Sequence, residues 1–418
     1  MTATFFASVH RIAAVLFAAI LIVGGASSAR AVTLLVDDDN VQCPTAPYTT
    51  IQAAVAASSA GDTVKLCAGL YGGQVVITHP LRIMGKAPNP ETCNTLAPLS
   101  PSAYSIFDAP AVAGPGGIGI DVLSDSVSIQ DLVIRGAGEA GIRTDPAYVK
   151  FKITFSVFTL NANGLYFHSA GTAASYVKDN CFHQNGTGIR TGYGLKKALI
   201  QKNYFFGNVG AGIFLDQLSA TTNEKLKVQS NRSINDAAFA VIVGTVDSTF
   251  AKNKILGNAT TGTGILLGGN NVDLLIKQNV VQDPGTNGIR FNTQLFPGFP
   301  PSSPSTNLTV SKNTIMNAGA HGITVESVAG EASLVSSIIL KNTVTGSGDA
   351  GPGDGIRIED PLATGPNSGN EIEANTISGS ANHDCHDPSG VNTWPSNLAS
   401  TQSVANLCFT GAANGVAD

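Results

Sequence analysis

The sequence is poor in charge, in sulfur-containing side chains and in aromatic residues. Only 13% of its 418 residues are charged, and it contains one Trp and three Met. With 43% hydrophobic residues and a mean hydropathy of +0.15, its composition excludes intrinsic disorder for the bulk of the chain. A formal net charge of −5 offers no basic stripe, which excludes a typical nucleic-acid-binding surface. Architecture and compartment are therefore better determined by this sequence than chemistry.

Long apolar runs are also scarce, and the one present is at the N-terminus. A short positive start precedes an apolar run over 12–23, and small residues then end in Ala29-Arg30-Ala31. This order is typical of a secretory signal peptide, and the run is shorter than the roughly 20 residues of a membrane span. We predict a signal peptide over 1–31, followed by export to the extracellular space or periplasm with no membrane span.

A repeated phrase fills most of the remaining chain. A Gly followed by an aliphatic residue recurs about every 22 to 24 residues, with longer steps where loops are inserted. The copies are Gly119-Ile120, Gly141-Ile142, Gly164-Leu165, Gly188-Ile189, Gly212-Ile213, Gly264-Ile265, Gly288-Ile289, Gly322-Ile323 and Gly355-Ile356, with a degenerate copy assigned to Ala240-Val241. A second phrase, an Asn with an apolar residue two positions later, begins at Asn180, Asn203, Asn253, Asn279, Asn313, Asn342 and Asn375. Apolar and polar residues alternate around both phrases, which predicts short strands with one buried face.

Such strands cannot each bury their own face, but stacked coils of three strands and three turns can. We therefore predict an all-β solenoid, a parallel β-helix, with neighbouring coils about 4.8 Å apart. The recurrent Asn residues are expected to take left-handed backbone angles and to form an amide ladder. One helical pattern, Thr50–Ser59, should cap the N-terminal end with positions 51, 54, 55 and 58 buried. The predicted segments are a cap with first coils over 32–116, repeats over 117–380 and a C-terminal cap over 381–418.

Export makes disulfides available to the six cysteines. Cys385 and Cys408 are isolated near the C-terminus, and we expect them to form a bridge that closes this segment. Three cysteines lie near the N-terminus, among which Cys43–Cys67 is the preferred pair, and the partner of the third stays open. Cys181 lies within the repeats and is expected to be a buried free thiol.

Two terminal segments resemble a known group of proteins. They contain Val36-Asp37-Asp38-Asp39, Cys43-Pro44, Tyr48-Thr49-Thr50-Ile51-Gln52-Ala53-Ala54, Gly61-Asp62-Thr63-Val64, Cys67, Gly69-Leu70-Tyr71, Asp384-Cys385-His386-Asp387, Asn392-Thr393-Trp394 and Asn406-Leu407-Cys408. With the repeats between them, the chain resembles bacterial exported right-handed parallel β-helix proteins of the pectin-lyase-like superfamily. The resemblance implies a right-handed coil, and for function it is generic, since the superfamily includes pectate and pectin lyases, polygalacturonases, alginate epimerases and many members with no assigned activity. The Asp-Pro-His-Asp motif of the epimerases is absent, as is any lyase or polygalacturonase signature.

The repeat also predicts which side chains share an outward face. If the aliphatic residue of each phrase points inward, the second and fourth residues after Gly point outward. The second positions are Asp121, Arg143, Tyr166, Arg190, Phe214, Ile242, Leu266, Arg290, Thr324 and Arg357. The fourth positions are Leu123, Asp145, His168, Gly192, Asp216, Gly244, Gly268, Asn292, Glu326 and Glu359.

The first polar group along this face could process an acidic polysaccharide. Its members are Arg143, Asp145, Tyr166, His168, Arg190, Phe214 and Asp216. Abstraction of the proton next to a uronic carboxylate needs a cation to neutralise the carboxylate and a base. The arginines could be the cations, His168 or Tyr166 the base, and Phe214 a platform for a sugar ring. The alternatives are a glycan-contact face without catalysis, or a solvated surface on which Arg143 pairs with Asp145.

The second polar group comprises Arg290, Glu326, Arg357 and Glu359. Stacking of adjacent coils would place the two carboxyl groups about 5 Å apart, the spacing of retaining glycosidases. Loops over 294–307 and 360–370 could form the walls of a groove there. Ordinary pairing of Glu359 with Arg357 is the competing interpretation.

Neither a metal site nor a cofactor is predicted with a specific motif. His383-Asp384-Cys385-His386-Asp387 is rich in ligands, but an exported Cys with a disulfide partner is no zinc ligand, so we predict no metal there. Calcium is the one candidate cofactor, at Asp37-Asp38-Asp39-Asn40, where a solvated turn is the competing interpretation.

The sequence thus favours an exported, monomeric protein that recognises, and could also cleave or epimerise, a uronic-acid-containing polysaccharide on an outward strand face. The alternative is a non-enzymatic envelope or surface scaffold. Metal handling has little support, because Met and His are sparse.

Overall fold

The computed structural model describes residues 30–399, apart from 97, 112–113, 218–220, 258–261, 294–302, 327–331, 350, 360–366 and 389–390. Within these residues, the backbone passes in turn through three long parallel sheets, so each strand pairs with strands one coil before and one coil after it. The three sheets have 13, 12 and 12 strands, which corresponds to about twelve stacked coils. The solenoid is thus confirmed. The predicted signal peptide lies almost wholly outside the described residues.

The strands of each sheet follow one another at intervals of one coil. Sheet A contains Thr33–Val36, Thr63–Leu66, Arg82–Met84, Ser128–Gln130, Lys152–Thr154, Ser175–Lys178, Ala198–Gln201, Lys227–Gln229, Thr249–Ala251, Leu275–Lys277, Thr309–Ser311, Ile338–Leu340 and Glu371–Glu373. Sheet B contains Gly69–Gly72, Ser105–Asp108, Val133–Arg135, Val157–Thr159, Cys181–His183, Tyr204–Phe206, Arg232–Ile234, Lys254–Leu256, Val280–Gln282, Thr314–Met316, Thr343–Thr345 and Thr376–Ser378. Sheet C contains Val75–Ile77, Ile118–Val122, Ala140–Thr144, Asn163–Tyr166, Thr187–Arg190, Ala211–Leu215, Ala238–Ile242, Thr263–Leu267, Ile289–Phe291, Ile323–Val325, Ile356–Ile358 and Cys385–His386. Two short pairs complete the strands described, Asn223–Glu224 with Thr245–Val246 and Ser305–Thr306 with Leu334–Val335.

The core is a continuous column inside the coil. The aliphatic residue of each repeat lies in register with its equivalent on the next coil, as for Ile142 opposite Leu165. Aromatic rings stack in the same column, with centroids 4.8 Å apart for Phe158 and Phe182 and 5.0 Å apart for Phe182 and Phe205. Stacking thereby buries apolar faces that no single coil could cover.

The predicted amide ladder is present, but the backbone prediction for its Asn residues is wrong. At Asn253, for example, Nδ2 donates to Oδ1 of Asn279 on the next coil at 2.9 Å. The left-handed residue is the one before each Asn, such as Lys252 with φ of 57° before Asn253. That preceding residue makes the corner, which leaves the Asn side chain pointing inward, where its amide can meet the next coil.

A second, shorter ladder runs beside the first. Asn161 Nδ2 donates to Asn185 Oδ1 at 3.0 Å, and Asn185 Nδ2 donates to Asn208 Oδ1 at 3.1 Å. This ladder ends on a carboxylate, because Nδ2 of Asn208 donates to Oδ1 of Asp236 at 2.7 Å. Ser233 Oγ donates to the other oxygen of Asp236 at 2.6 Å.

The degenerate repeat lies one residue earlier than the sequence indicates. Ala240, not Val241, is in register with Ile213 and Ile265, so Phe239 occupies the position of the repeat Gly. The outward residues of this coil are therefore Val241 and Val243 instead of Ile242 and Gly244. Phe239 fits because its buried ring packs edge-on against Phe205, with centroids 6.0 Å apart. Adjacent aliphatic residues made both alignments acceptable from the sequence.

The capping helix spans Ile51–Ala57 and is slightly shorter than predicted. Thr50 is its N-cap, and Oγ1 of Thr50 accepts from the backbone N–H of Ala53 at 3.2 Å. Ile51 and Val55 are buried in the common core with the first strands. The remaining helical segments described are the 3-10 turns Pro90–Thr95 and Pro115–Gly117. None of the described helices has the length and hydropathy of a bilayer-spanning segment.

Two disulfides hold the N-terminal half of the described chain. One joins Cys43 to Cys67, the pair preferred from the sequence. The other joins Cys93 to Cys181, so the expectation of a free thiol at Cys181 is wrong. Sheet B turns Cys181 outward, and the 3-10 turn that carries Cys93 folds back onto it, a contact across 88 residues that no local pattern reveals. The predicted Cys385–Cys408 bridge involves a residue outside those described.

Candidate functional site

The outward column of sheet C places the first polar group on consecutive coils. Arg143 pairs in register with Tyr166, Tyr166 with Arg190, and Arg190 with Phe214. The intervening residues, among them Phe167, point into the core. Residues 23 or 24 positions apart in the chain are therefore neighbours on one surface, which we call the sheet C face.

Arg143 is held by a carboxylate on the preceding coil. Its Nε and one terminal nitrogen donate to the two oxygens of Asp121 at 3.1 and 2.7 Å. The interpretation that Arg143 pairs with Asp145 is therefore wrong, because Asp145 instead accepts from the backbone N–H of Ala147 at 2.9 Å. Asp121 is only 6% exposed, so the guanidinium is fixed in orientation while part of it faces solvent.

Arg190 lies at the centre of the group. Its guanidinium is 3.0 Å from a carboxylate oxygen of Asp216, which is fully buried. Burial raises the pKa of Asp216 to about 6, and the adjacent guanidinium opposes this rise. The guanidinium carbon lies 5.9 Å from the centre of the Tyr166 ring and 5.5 Å from that of Phe214, within cation–π range of both.

His168 lies close enough to Arg143 to interact with its charge, but its side chain is covered. It is 2% exposed, and its ring lies 4.3 Å from that of Tyr166 and 5.1 Å from that of Tyr193, between centroids. Burial lowers the pKa of His168 to about 4, so the imidazole is neutral near pH 7. Its Nδ1 lies 3.0 Å from the carbonyl oxygen of Thr144, and its Nε2 makes no hydrogen bond within the described residues.

Tyr193 is a member of the group that the sequence did not reveal. It follows the strand Thr187–Arg190 in a turn, outside the positions that the repeat assigns to the outward face. Its side chain is 50% exposed, although one edge of it covers His168. In the sequence, only the position of Tyr193 close after Arg190, between Gly192 and Gly194, could have indicated that it belongs to this group.

The second polar group is brought together as ion pairs. Both oxygens of Glu326 accept from Arg290, at 2.6 and 2.8 Å, and Nδ2 of Asn292 is a further donor. Glu359 accepts from Arg357 at 3.1 Å, as the competing interpretation required. With Glu326 so fully engaged, we do not propose a glycosidase pair here. Much of each predicted flanking loop, 294–302 and 360–366, lies outside the described residues.

The acidic turn near the N-terminus uses its carboxylates to organise backbone. Asp37 accepts from the N–H of Cys43 at 2.6 Å, and Asp38 accepts from that of Leu70 at 3.0 Å. Oxygens of Asp37, Asp38 and Asp39 lie within 4.8 Å of one another. Calcium binding at this turn stays a prediction.

A groove on the outer surface of sheet A is a separate feature that the sequence did not indicate. It has a volume of about 510 Å³, and its lining includes Tyr176, Lys197, Lys225 and Lys227. Tyr176 is 42% exposed. The groove is cationic, but Lys225 is already paired with Glu224 at 2.6 Å. It lies on a different sheet from the sheet C face.

Comparison with known proteins identifies the fold. A family model for the right-handed beta helix region matches residues 117–281. The protein is a right-handed parallel β-helix. DFA-IIIase from Arthrobacter chlorophenolicus A6, solved without its lid, has a TM-score of 0.51 at 16% identity over 87% of this chain and 94% of that one. A PL6 alginate lyase solved with a trisaccharide has a TM-score of 0.51 at 16% identity over 92% and 91%. No curated protein matches by sequence. At such identities the likeness shows the fold alone.

Proposed function

We propose that this β-helix protein is exported and binds an acidic, uronic-acid-containing polysaccharide on the sheet C face. One observation carries the proposal: the guanidinium of Arg190 is fixed by buried Asp216 between the rings of Tyr166 and Phe214. Aromatic faces pack against apolar surface such as the C–H face of a sugar ring, and a guanidinium recognises a carboxylate. A rigid row of both suits a polymer of sugar acids.

Three further observations support the proposal. The two disulfides described are typical of proteins outside the reducing cytosol. A polysaccharide is an extended ligand, and the stacked coils supply an extended, rigid surface. Of the two solved structures named above, one is an alginate lyase with a bound trisaccharide.

Cleavage by β-elimination is the second candidate function. It is favoured by the neutral imidazole of His168, whose unpartnered Nε2 lies next to an arginine group suited to neutralising a uronic carboxylate. The burial of His168, which is only 2% exposed, argues against cleavage. The rings of Tyr166 and Tyr193 would have to move before a substrate could reach Nε2 of His168. We therefore propose binding without cleavage as the main function.

Calorimetric titration with pectate and with fully methyl-esterified pectin tests the proposal. Pectate should bind and the ester should bind at least tenfold more weakly, because one charged hydrogen bond is worth about 1.5–3 kcal/mol. Phe214→Ala and Arg190→Gln should each weaken pectate binding about tenfold or more. Lys254→Ala removes an exposed cation from sheet B and is the matched control, which should bind like the parent.

The groove on sheet A supplies the competing outcome. If Lys227→Ala abolishes binding and Phe214→Ala does not, the polysaccharide lies in that groove and the sheet C face is not the site. If neither pectate nor alginate binds, acidic polysaccharide recognition is refuted and the scaffold alternative remains. The same samples are assayed for unsaturated ends and reducing ends, and the polymer is examined by NMR. Unsaturated ends that His168→Ala abolishes would show that the protein is a lyase. An altered NMR spectrum without cleavage would show that it is an epimerase.

A further inference from the structure

The last coils of sheet C bring three histidines around one buried aspartate. Asp354 is fully buried at its carboxylate, and Nδ1 of His383 lies 3.3 Å from one of its oxygens. His386 and His321 flank the same carboxylate, so half of the six histidines among the described residues converge on it. This group is separate from the sheet C face proposed above, about six coils away.

Two histidine nitrogens of this group lack hydrogen-bond partners among the described residues. Nδ1 of His383 and Nδ1 of His386 are both buried and make no hydrogen bond within the described residues. One ligand atom from each of Asp354, His383 and His386 can be chosen so that all three lie within 4.8 Å of one another. Buried polar atoms without partners are costly, and a cation bound beside Asp354 would satisfy both imidazole nitrogens at once.

The aspartate is held in position by hydrogen bonds from its neighbours. One oxygen of Asp354 accepts from Nδ2 of Asn382 at 2.9 Å and from the backbone N–H of His383 at 3.0 Å. The other oxygen takes one terminal nitrogen of Arg357 at 3.1 Å. The backbone N–H of Asp354 donates to Nδ1 of His321 at 2.9 Å, so His321 positions the aspartate and is not itself counted as a ligand. Outer contacts of this kind fix the ligands of metal sites.

The fold explains why a metal site was not predicted here from the sequence. Ile356 pairs with Cys385, and Arg357 with His386, on adjacent coils. Cys385 therefore points into the core and is fully buried, while His386 points outward. The cysteine that argued against a metal takes no part in the cluster, and Asp354 completes it from one coil earlier.

We propose that Asp354, His383 and His386 form a site for one divalent transition-metal ion of the zinc type. Two imidazole nitrogens with one carboxylate oxygen suit Zn²⁺, whereas Ca²⁺ and Mg²⁺ prefer oxygen ligands throughout. Three protein ligands leave the fourth tetrahedral position to water or to an exogenous ligand.

Zinc titration of the tag-free full chain by calorimetry tests the proposal, with the absorption spectrum of added Co²⁺ as an independent readout of geometry. The parent should bind one Zn²⁺ per chain, and Co²⁺ should give an intense visible band of tetrahedral type. Asp354→Asn and His386→Ala should each weaken zinc binding at least tenfold. His183→Ala, which removes a histidine of sheet B that stacks on Phe206, is the matched control and should bind zinc like the parent.

Melting curves separate lost binding from lost folding. Zinc should raise the melting temperature of the parent and of His183→Ala, because a ligand that binds only the native state stabilises it. If Asp354→Asn fails to fold, His383→Asn gives the same comparison with the aspartate intact. A parent that binds no zinc at 0.1 mM, or variants that bind it as tightly as the parent, would overturn the proposal.

Discussion

Replacement of Asp236 by Asn should stabilise the protein in a strongly pH-dependent manner. Asp236 ends a ladder otherwise made of asparagines, and its carboxyl is completely buried. Burial raises its pKa from 3.8 to about 7, against the opposing hydrogen bonds from Ser233 and Asn208. The native state therefore holds a proton on Asp236 through a pH range in which the unfolded chain has already lost it.

The sign and size of the effect follow from this difference. Because the native pKa is raised, Asp236 does not lower the free energy of unfolding below about pH 3.8. As the pH rises from there to about 7, Asp236 lowers the free energy of unfolding progressively. At 1.36 kcal/mol per pH unit, the free-energy cost of ionising Asp236 in the native state approaches about 4 kcal/mol above pH 7. An asparagine keeps the side-chain shape and cannot ionise. Its amide can accept from Asn208, as Asp236 does, and donate to the hydroxyl oxygen of Ser233.

Urea unfolding at pH 4, 6 and 8 measures the effect. The free energies of unfolding of the parent and of Asp236→Asn should nearly agree at pH 4 and diverge to several kcal/mol at pH 8, the variant being the more stable. Asp247→Asn makes the same chemical change at an exposed side chain and serves as the control, with curves parallel to those of the parent. A variant that is less stable than the parent at pH 8 would refute the reasoning, because the carboxylate would then be contributing to stability as an anion.

Three other predictions test the site and the stack. Affinity for pectate should rise as the pH falls from 8 to 5, because protonation of Asp216 near pH 6 removes the negative charge that offsets Arg190, and Asp216→Asn should flatten this dependence in calorimetry. Replacement of both Cys93 and its partner by Ala should lower the free energy of unfolding by about 4–5 kcal/mol in urea, on the loop-entropy account of an 88-residue separation; a loss below 1 kcal/mol would contradict that account. Gly188→Ala should lower the melting temperature, because its Cβ would lie 2.5 Å from a backbone oxygen of the next coil and overpacking costs about 1–3 kcal/mol; Gly351→Ala, with nothing within 4 Å, is the control and should melt like the parent.

The sequence predicts the architecture well because the architecture is periodic. Inward and outward alternation at Leu165, Tyr166 and Phe167 follows from period two alone, and register follows once each coil is taken to lie on the one before. The degenerate coil shows the limit, since the small aliphatic residues around Phe239 fit two alignments that only packing against Phe205 separates.

Pairing between side chains was much harder to predict. The repeat places both Asp121, in register on the preceding coil, and Asp145, on the same strand, near Arg143, and only the structure shows that Asp121 is the partner. The burial of His168 depends on Tyr193, which lies in a turn without periodicity. The Asp354 group combines residues from two coils, and one of its histidines lies outside the repeat. Loops and partner choice are set by three-dimensional packing, for which a repeat offers no rule.

The Cys93–Cys181 bridge alters how this stack can come apart. In a solenoid each coil touches only its neighbours, so loss of structure can start at an end and advance one coil at a time. Here the segment carrying Cys93 lies over Ile106, Val133 and Val157 and is fastened to a strand three coils beyond Ser105–Asp108. Unfolding from the N-terminal end would therefore have to release those coils together. The disulfide-linked segment joins them into a single cooperative unit next to the proposed binding surface.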